Sequence, residues 1–186
     1  MHISFFFNIF APYYKYPYIN INMEKIKTHL LFFFFFFLFH SVGAQRLFHI
    51  SRSVNPNWVC YDVNQNNNKL DLKNPIHVYW HNRSDNPGHE NELSFIQRKL
   101  AYGYNVLSRG NNEVEVKLTA YKKRSLKVCM HKGKWISKIN INGRPSQLTE
   151  IQVKTKEGNP LNVLYINLVG VSLADGTKQV EKIENK

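Results

Sequence analysis

From Leu47 onward, apolar and polar residues alternate with a period of two, the pattern of strands that bury one face. Ile76, Val78 and Trp80 point one way while His77, Tyr79 and His81 point the other. Val114, Val116, Leu118 and Ala120 alternate with Glu113, Glu115, Lys117 and Thr119, and Leu126, Val128 and Met130 repeat the pattern. Further strands are predicted over 47–52, 58–63, 134–141, 147–155 and 179–183. Asn64–Asn68 reads as a loop, and Asn142-Gly143 is a type I′ hairpin signal. Residues 161–173 are apolar on both faces, which predicts a central strand covered on both sides, with Gly170 permitting a bend.

One stretch breaks this rhythm. In Glu92–Tyr104, ELSFIQRKLAYGY, the residues Leu93, Ile96 and Leu100 fall at helical spacing and predict an apolar face turned to the sheet. Asn91 is placed to cap the start, and Glu92 sits where the helix dipole favours an anion. Gly103 is placed to end the helix in a left-handed turn. Phe95, Arg98 and Tyr102 form the expected outward stripe. About nine strands and one helix over about 92–101 describe a mostly β, single-domain sandwich or partly closed barrel, with the helix covering a face or mouth.

The amino-terminal part has a different character. Met23 begins what reads as a secretory signal: a mostly basic Glu24-Lys25-Ile26-Lys27, an apolar core over 30–39, and a small-residue cleavage site at Val42-Gly43-Ala44. Residues 1–22 then read as a misassigned extension and residues 45–186 as one domain, secreted or periplasmic. A ten-residue core is short for a membrane span. Setting residues 1–44 aside changes the composition. Eleven of the 13 Phe go, and the 25 basic and 13 acidic residues of the whole chain fall to 22 and 12, a net charge of +10. Such a balance favours anionic partners: an anionic glycan, a lipid headgroup or an envelope protein. Export argues against nucleic acid.

Catalytic signatures are sparse. There is no G-x-S-x-G elbow, no glycine-rich phosphate loop and no H-E-x-x-H, and nothing calls for a cofactor. His77 and His81 resemble a metal pair, but four residues along a strand place them roughly 13 Å apart. That is too far for two zinc bonds of about 2 Å, so no metal is expected. Export favours a bridge between Cys60 and Cys129, worth about 4 kcal/mol for a loop of roughly 70 residues. Yet Cys129 shares its strand face with Lys127 and His131, and Cys60 with Trp58, so the two need not meet. Asp62 and Glu92 are expected to pair with arginines and fix the helix against the sheet; otherwise one of them is a general acid or base beside Tyr61 and Tyr79. Tyr61, Tyr79, Tyr102, Tyr104, Tyr121 and Trp80 offer stacking surfaces beside Arg98, Lys99, Lys122, Lys123 and Arg124.

The order of motifs FHISRSVNPNWVCYD (48–62), NPIHVYW (74–80), ELSFIQRKLAYGY (92–104), AYK (120–122) and INGR (141–144) resembles the exported bacterial family catalogued as "domain of unknown function 4833". The resemblance spans about residues 47–184, and 92–104 is its most specific block. It implies a secreted single domain and carries no activity, substrate or catalytic residue.

The sequence therefore points to a binding or interaction module with a basic aromatic surface. Its candidate ligand-binding residues are Tyr61, Asp62, Tyr79, Trp80, Glu92, Phe95, Arg98, Lys99, Tyr102, Tyr104 and Lys122. The alternative is a cell-envelope hydrolase using Asp62 or Glu92 as acid or base. The leader has a direct test. Amino-terminal sequencing of exported protein is expected to read from Gln45 or its neighbours, and a mature chain that retains Phe32–Phe37 would refute the leader.

Overall fold

The computed structural model of the protein describes residues 44–184. The expected extension at 1–22 and, Ala44 apart, the expected leader at 23–44 lie outside them. Strands dominate: β1 (Arg46–Arg52), β2 (Asn55–Val63), β3 (Gln65–Asn66), β4 (Lys69–Leu70), β5 (Ile76–His81) and β6 (Glu90–Glu92) come first. A short helix α1 (Phe95–Gln97) runs directly into a π turn (Arg98–Tyr102). Then follow β7 (Tyr104–Gly110), β8 (Glu113–Leu118), β9 (Leu126–His131), β10 (Lys134–Ile141), β11 (Arg144–Lys156), β12 (Asn159–Ser172) and β13 (Lys178–Glu184).

Nine strands form a curled path, β6-β5-β2-β1-β11-β10-β9-β8-β7, the half-barrel of the fold. Strand β12 adds to β11 and β13 to β12, while β3 and β4 form a separate small hairpin. The pairing is antiparallel except where β1 runs parallel to β11. Tight turns supply the hairpins. Asn142 (φ 52°) with Gly143 (φ 75°), and Lys132 (φ 47°) with Gly133 (φ 77°), hold the consecutive left-handed residues of type I′ turns.

The concave face is the core. Phe48, Ile50, Val59, Tyr61, Val78, Val116, Leu118, Val128, Ile139, Leu148, Ile151 and Leu168 are all buried there. Phe48 stacks on Tyr61 with ring centroids 4.3 Å apart. The curl brings the two ends of the nine-strand path together. Tyr104, the first residue of β7, accepts a hydrogen bond from the Ile76 amide (3.2 Å) and donates one to the Ile76 carbonyl (3.0 Å), so one phenol bridges to β5. Arg109 donates to the Leu72 carbonyl at 2.8 Å on the same side.

The helical segment departs from its expected form. Residues 90–92 are strand, so Glu92 precedes the helix. The cap is Ser94, not Asn91: its hydroxyl accepts from the Gln97 amide while the Gln97 side chain accepts from the Ser94 amide. Gly103 is extended (φ −74°, ψ −175°) and not left-handed. Glycine is required there by close approach, because a Cβ would sit 2.1 Å from the Arg98 carbonyl oxygen, which accepts the Gly103 amide and closes the π turn. The faces also differ. Leu93 is buried, but Ile96 and Leu100 are 67% and 70% exposed, and Tyr102 is buried instead of outward. An element this short, closed by a π turn, keeps no continuous 3.6-residue stripe; it is pinned at its two ends by Leu93 and Tyr102.

Other expectations are corrected as well. Residues 104–110, which carry no predicted element, form β7. Asn64–Asn68 is not all loop, since Gln65 and Asn66 pair with Leu70 and Lys69. Met130 is exposed although Leu126 and Val128 turn inward. Strand β12 is flanked by partners on both edges but is not covered on both faces. Only its second half is buried, and Leu161 is 90% exposed.

These burials generate a stability prediction. Leu93→Ala is expected to cost about 2–4 kcal/mol, as aliphatic deletions in a packed core do. Ile96→Ala is expected to stay within about 0.5 kcal/mol. Urea unfolding of both variants checks the difference; equal losses would contradict the observed packing.

Candidate functional site: a basic-mouthed cavity and a polar outer face

Alternation along β2 sorts the candidate residues onto two faces. Tyr61 lies on the concave side; Cys60 and Asp62, its chain neighbours, lie on the outer side. The two faces have different chemistry.

On the concave side a cavity of about 530 Å³ opens at one mouth of the half-barrel. Its wall is aliphatic: Ile50 of β1, Ile151 and Val153 of β11, Val163 and Ile166 of β12, and Ile183 of β13. Tyr61 and Tyr102 close its inner side, where the Tyr61 hydroxyl donates to the Tyr102 carbonyl at 2.7 Å. Trp80 meets Tyr102 edge-on, with centroids 5.3 Å apart. The cationic groups at this cavity are Arg52, Lys122 and Lys123, and Glu184 is the acid among its lining residues. Arg52 donates to the Tyr102 hydroxyl at 3.1 Å and to the Pro160 carbonyl, so it ties the π turn to the start of β12. Tyr121 also lines the cavity. It is buried, and its hydroxyl has no hydrogen-bond partner among the described residues. Burial pushes the Tyr121 pKa up, which keeps the phenol neutral and able to donate.

The outer face carries an ion-paired network. Asp62 accepts from Arg46 Nε at 3.0 Å through one oxygen and from the Tyr79 hydroxyl at 2.8 Å through the other, and Arg46 also donates to Tyr79 at 2.6 Å. Asp62 is 4% exposed and Tyr79 3%. Desolvation, aided by the bond to Asp62, raises the Tyr79 pKa. Cys60 lies beside them, fully buried, and burial pushes its thiol up to about 11. Trp58 stacks on His49 at 4.1 Å, and the Arg83 guanidinium sits 4.1 Å from the Trp58 ring centre. His49 faces Glu150 at 3.5 Å, and burial lowers its pKa against the pull of that carboxylate.

Glu92 sits at the exposed rim of this face, bonded to His77 at 2.6 Å and to Arg98. The His77 bond, with Arg98, holds its pKa below the usual carboxylate range. Asp62 and Glu92 thus each pair with an arginine. Only the Glu92 pair ties the helical segment down, because Asp62 pairs with Arg46 of β1.

Of the residues singled out in the sequence, Tyr61, Tyr102 and Lys122 meet at the cavity, with Trp80 packed behind Tyr102. Asp62, Tyr79 and Glu92 belong to the opposite face, and Tyr104 is spent on bridging to Ile76. Phe95 and Lys99 are exposed on the helical segment, the ammonium 5.8 Å from the ring centre. Arg124 is neutralised by a two-pronged pair with Glu181 (2.7 and 2.5 Å). Cys60 and Cys129 are free thiols on β2 and β9, with β1, β11 and β10 between them in the sheet. Sequence reasoning missed the aliphatic wall, whose residues come from four strands and look individually like ordinary core. The Arg52 clamp had no local signal either.

The molecule is thus a β half-barrel whose one mouth opens on an apolar cavity edged by cations. It belongs to the family described as Domain of unknown function (DUF4833), whose model matches residues 48–182. No curated protein and no solved structure matches it. Among the described residues no helix is long and apolar enough to cross a membrane.

The outer network has a testable weight. Asp62→Ala leaves the Arg46 guanidinium and the Tyr79 hydroxyl without their shared acceptor. The expected loss is about 2–3 kcal/mol, below the range for a fully buried pair because the Arg46 side chain is 35% exposed. Thermal or urea unfolding measures it, and an unchanged midpoint would show that the network contributes nothing.

Proposed function

We propose that the protein is a secreted or periplasmic binding module that takes an amphipathic anion into the mouth of its half-barrel. The observation that carries this reading is the cavity: about 530 Å³, walled by aliphatic side chains and edged by Arg52, Lys122 and Lys123. That volume suits a small-molecule site. An aliphatic wall offers nothing to the hydroxyls of a sugar, whereas it removes an acyl chain from water at about 25 cal/mol per Å². Of the anionic ligands considered, a lipid-like molecule with an anionic headgroup therefore fits better than a glycan. Its head would lie near the lysines, and an acceptor on it would satisfy the Tyr121 hydroxyl, which otherwise bears an uncompensated desolvation cost.

The competing reading is a hydrolase acting through Asp62 or Glu92. Both oxygens of Asp62 are already engaged by Arg46 and Tyr79. The lowered pKa of Glu92 is the reverse of what a general acid needs near neutral pH. Both carboxylates also lie away from the cavity. These observations favour binding over catalysis.

Titration with a fluorescent fatty acid tests the proposal. Saturable binding is expected, with at least a tenfold loss, about 1.4 kcal/mol, in Ala101→Trp, which fills the mouth from the π turn. A smaller loss is expected in Lys122→Gln combined with Lys123→Gln. Absence of binding, or affinities unchanged in both folded variants, would overturn it.

A further inference from the structure

The mouth of the cavity has two lips, and both end in exposed apolar side chains. On one lip, Phe95, Ile96 and Leu100 are 76%, 67% and 70% exposed, and the next residues, Ala101 and Tyr102, line the cavity. On the other, Leu161 is 90% exposed, and Val163, two residues on, lines the same cavity. Arg52 holds the lips together, bonding Tyr102 on the first and the Pro160 carbonyl on the second. Large apolar side chains held into water by a structured turn and by a strand end have no packing role; Leu93 and Tyr102 do that work for the first lip.

Cations accompany these tips. Lys99 lies between Ile96 and Leu100 in the chain, Lys122 and Lys123 line the cavity, and Lys156 is exposed at the β11–β12 turn beside the second lip. Glu157 follows Lys156 and Glu184 lines the cavity, while Glu92, seven residues before Lys99, is already paired with His77 and Arg98. Aliphatic and aromatic tips interleaved with lysines match an anionic bilayer surface, which offers an acyl layer beneath a negatively charged headgroup plane. A second copy of the chain matches less well. Two such mouths face to face would oppose lysines to lysines, and a few tips per copy fall short of the area a stable dimer buries.

We infer that this mouth docks on an anionic lipid surface, with Phe95, Ile96, Leu100 and Leu161 entering the interface and the lysines meeting headgroups. The inference rests on the binding role proposed above, to which it adds the source of the ligand: an amphiphile would pass from the bilayer into the cavity without crossing water.

Co-sedimentation with vesicles of phosphatidylcholine, alone or with one part in three phosphatidylglycerol, tests it. The protein is expected to pellet with the anionic vesicles only, and less as salt rises, because exposed charges are screened. Leu100→Ser with Leu161→Ser is expected to weaken pelleting about tenfold while leaving the unfolding midpoint and fatty-acid uptake in solution intact. In Phe95→Trp, the indole emission should shift to the blue on adding anionic vesicles. Pelleting that ignores phosphatidylglycerol, a serine double variant that pellets like the parent, or an unshifted indole would each overturn docking. So would a dimer in solution that the serine changes dissolve, since the lips would then belong to a second copy. The two proposals fail separately. A protein that binds fatty acid in solution but never vesicles loses docking and keeps the binding role, whereas one that docks through its lips yet takes up no fatty acid keeps docking and loses that role.

Discussion

One strand has to serve three neighbours, and the shape of the molecule follows from how β11 divides its edges. One edge pairs with β12 along most of its length. The other pairs first with β10, at Arg144–Gln147, and then with β1, at Glu150–Val153. Between those stretches the register against β12 shifts, and Gly170 of β12 lies there with its Cβ position 2.4 Å from the Gln147 carbonyl oxygen. Any side chain at 170 would push the two strands apart at the branch. The gap where β10 leaves and β1 arrives is closed by a side chain. Gln45 donates from its amide to the Trp135 carbonyl at 2.7 Å and accepts from the Trp135 amide at 3.0 Å, completing backbone bonds that no strand is present to make.

Because β11 branches, the sheet becomes two wings that curl around one apolar interior. The phenol of Tyr104 and the guanidinium of Arg109 hold the far wing against the near one. The branch strands β12 and β13 extend past the packed interior at one end, and that is where the cavity opens. Stability and the candidate site therefore share a cause: the same division that lets the sheet curl leaves one mouth that the short helical segment only partly covers.

Polarity is divided just as cleanly by the period of two. Inward positions of β1, β2 and β5 are Ile50, Val59, Tyr61 and Val78; outward positions are His49, Cys60, Asp62, His77 and Tyr79. Of the outward groups Asp62 and Tyr79 are buried and His49 and His77 half-buried, and Arg46, Glu150 and Glu92 supply their partners. A carboxylate enclosed in such a network reads in the sequence much like a catalytic one. Only its partners distinguish the two.

The sequence by itself determined the class of fold. Alternation in 76–81, 113–118 and 126–131 specifies strands, and Asn142-Gly143 specifies the turn between β10 and β11, because both signals depend on near neighbours in the chain. Membership in the family was likewise legible in the chain, from motifs spread over its length. The helical segment was found in the right stretch, but its start, cap and faces were not, since Ser94, a capping choice, and Gly103, a close-contact choice, replaced a 3.6-residue stripe with a π turn. What only the tertiary structure decided is the cavity. Ile50, Val153, Ile166 and Ile183 are ordinary core residues in sequence, and they line a cavity because β11 carries β1 on one edge and β12 on the other. Such pairing between residues about a hundred positions apart depends on packing of the whole chain, which no local pattern records.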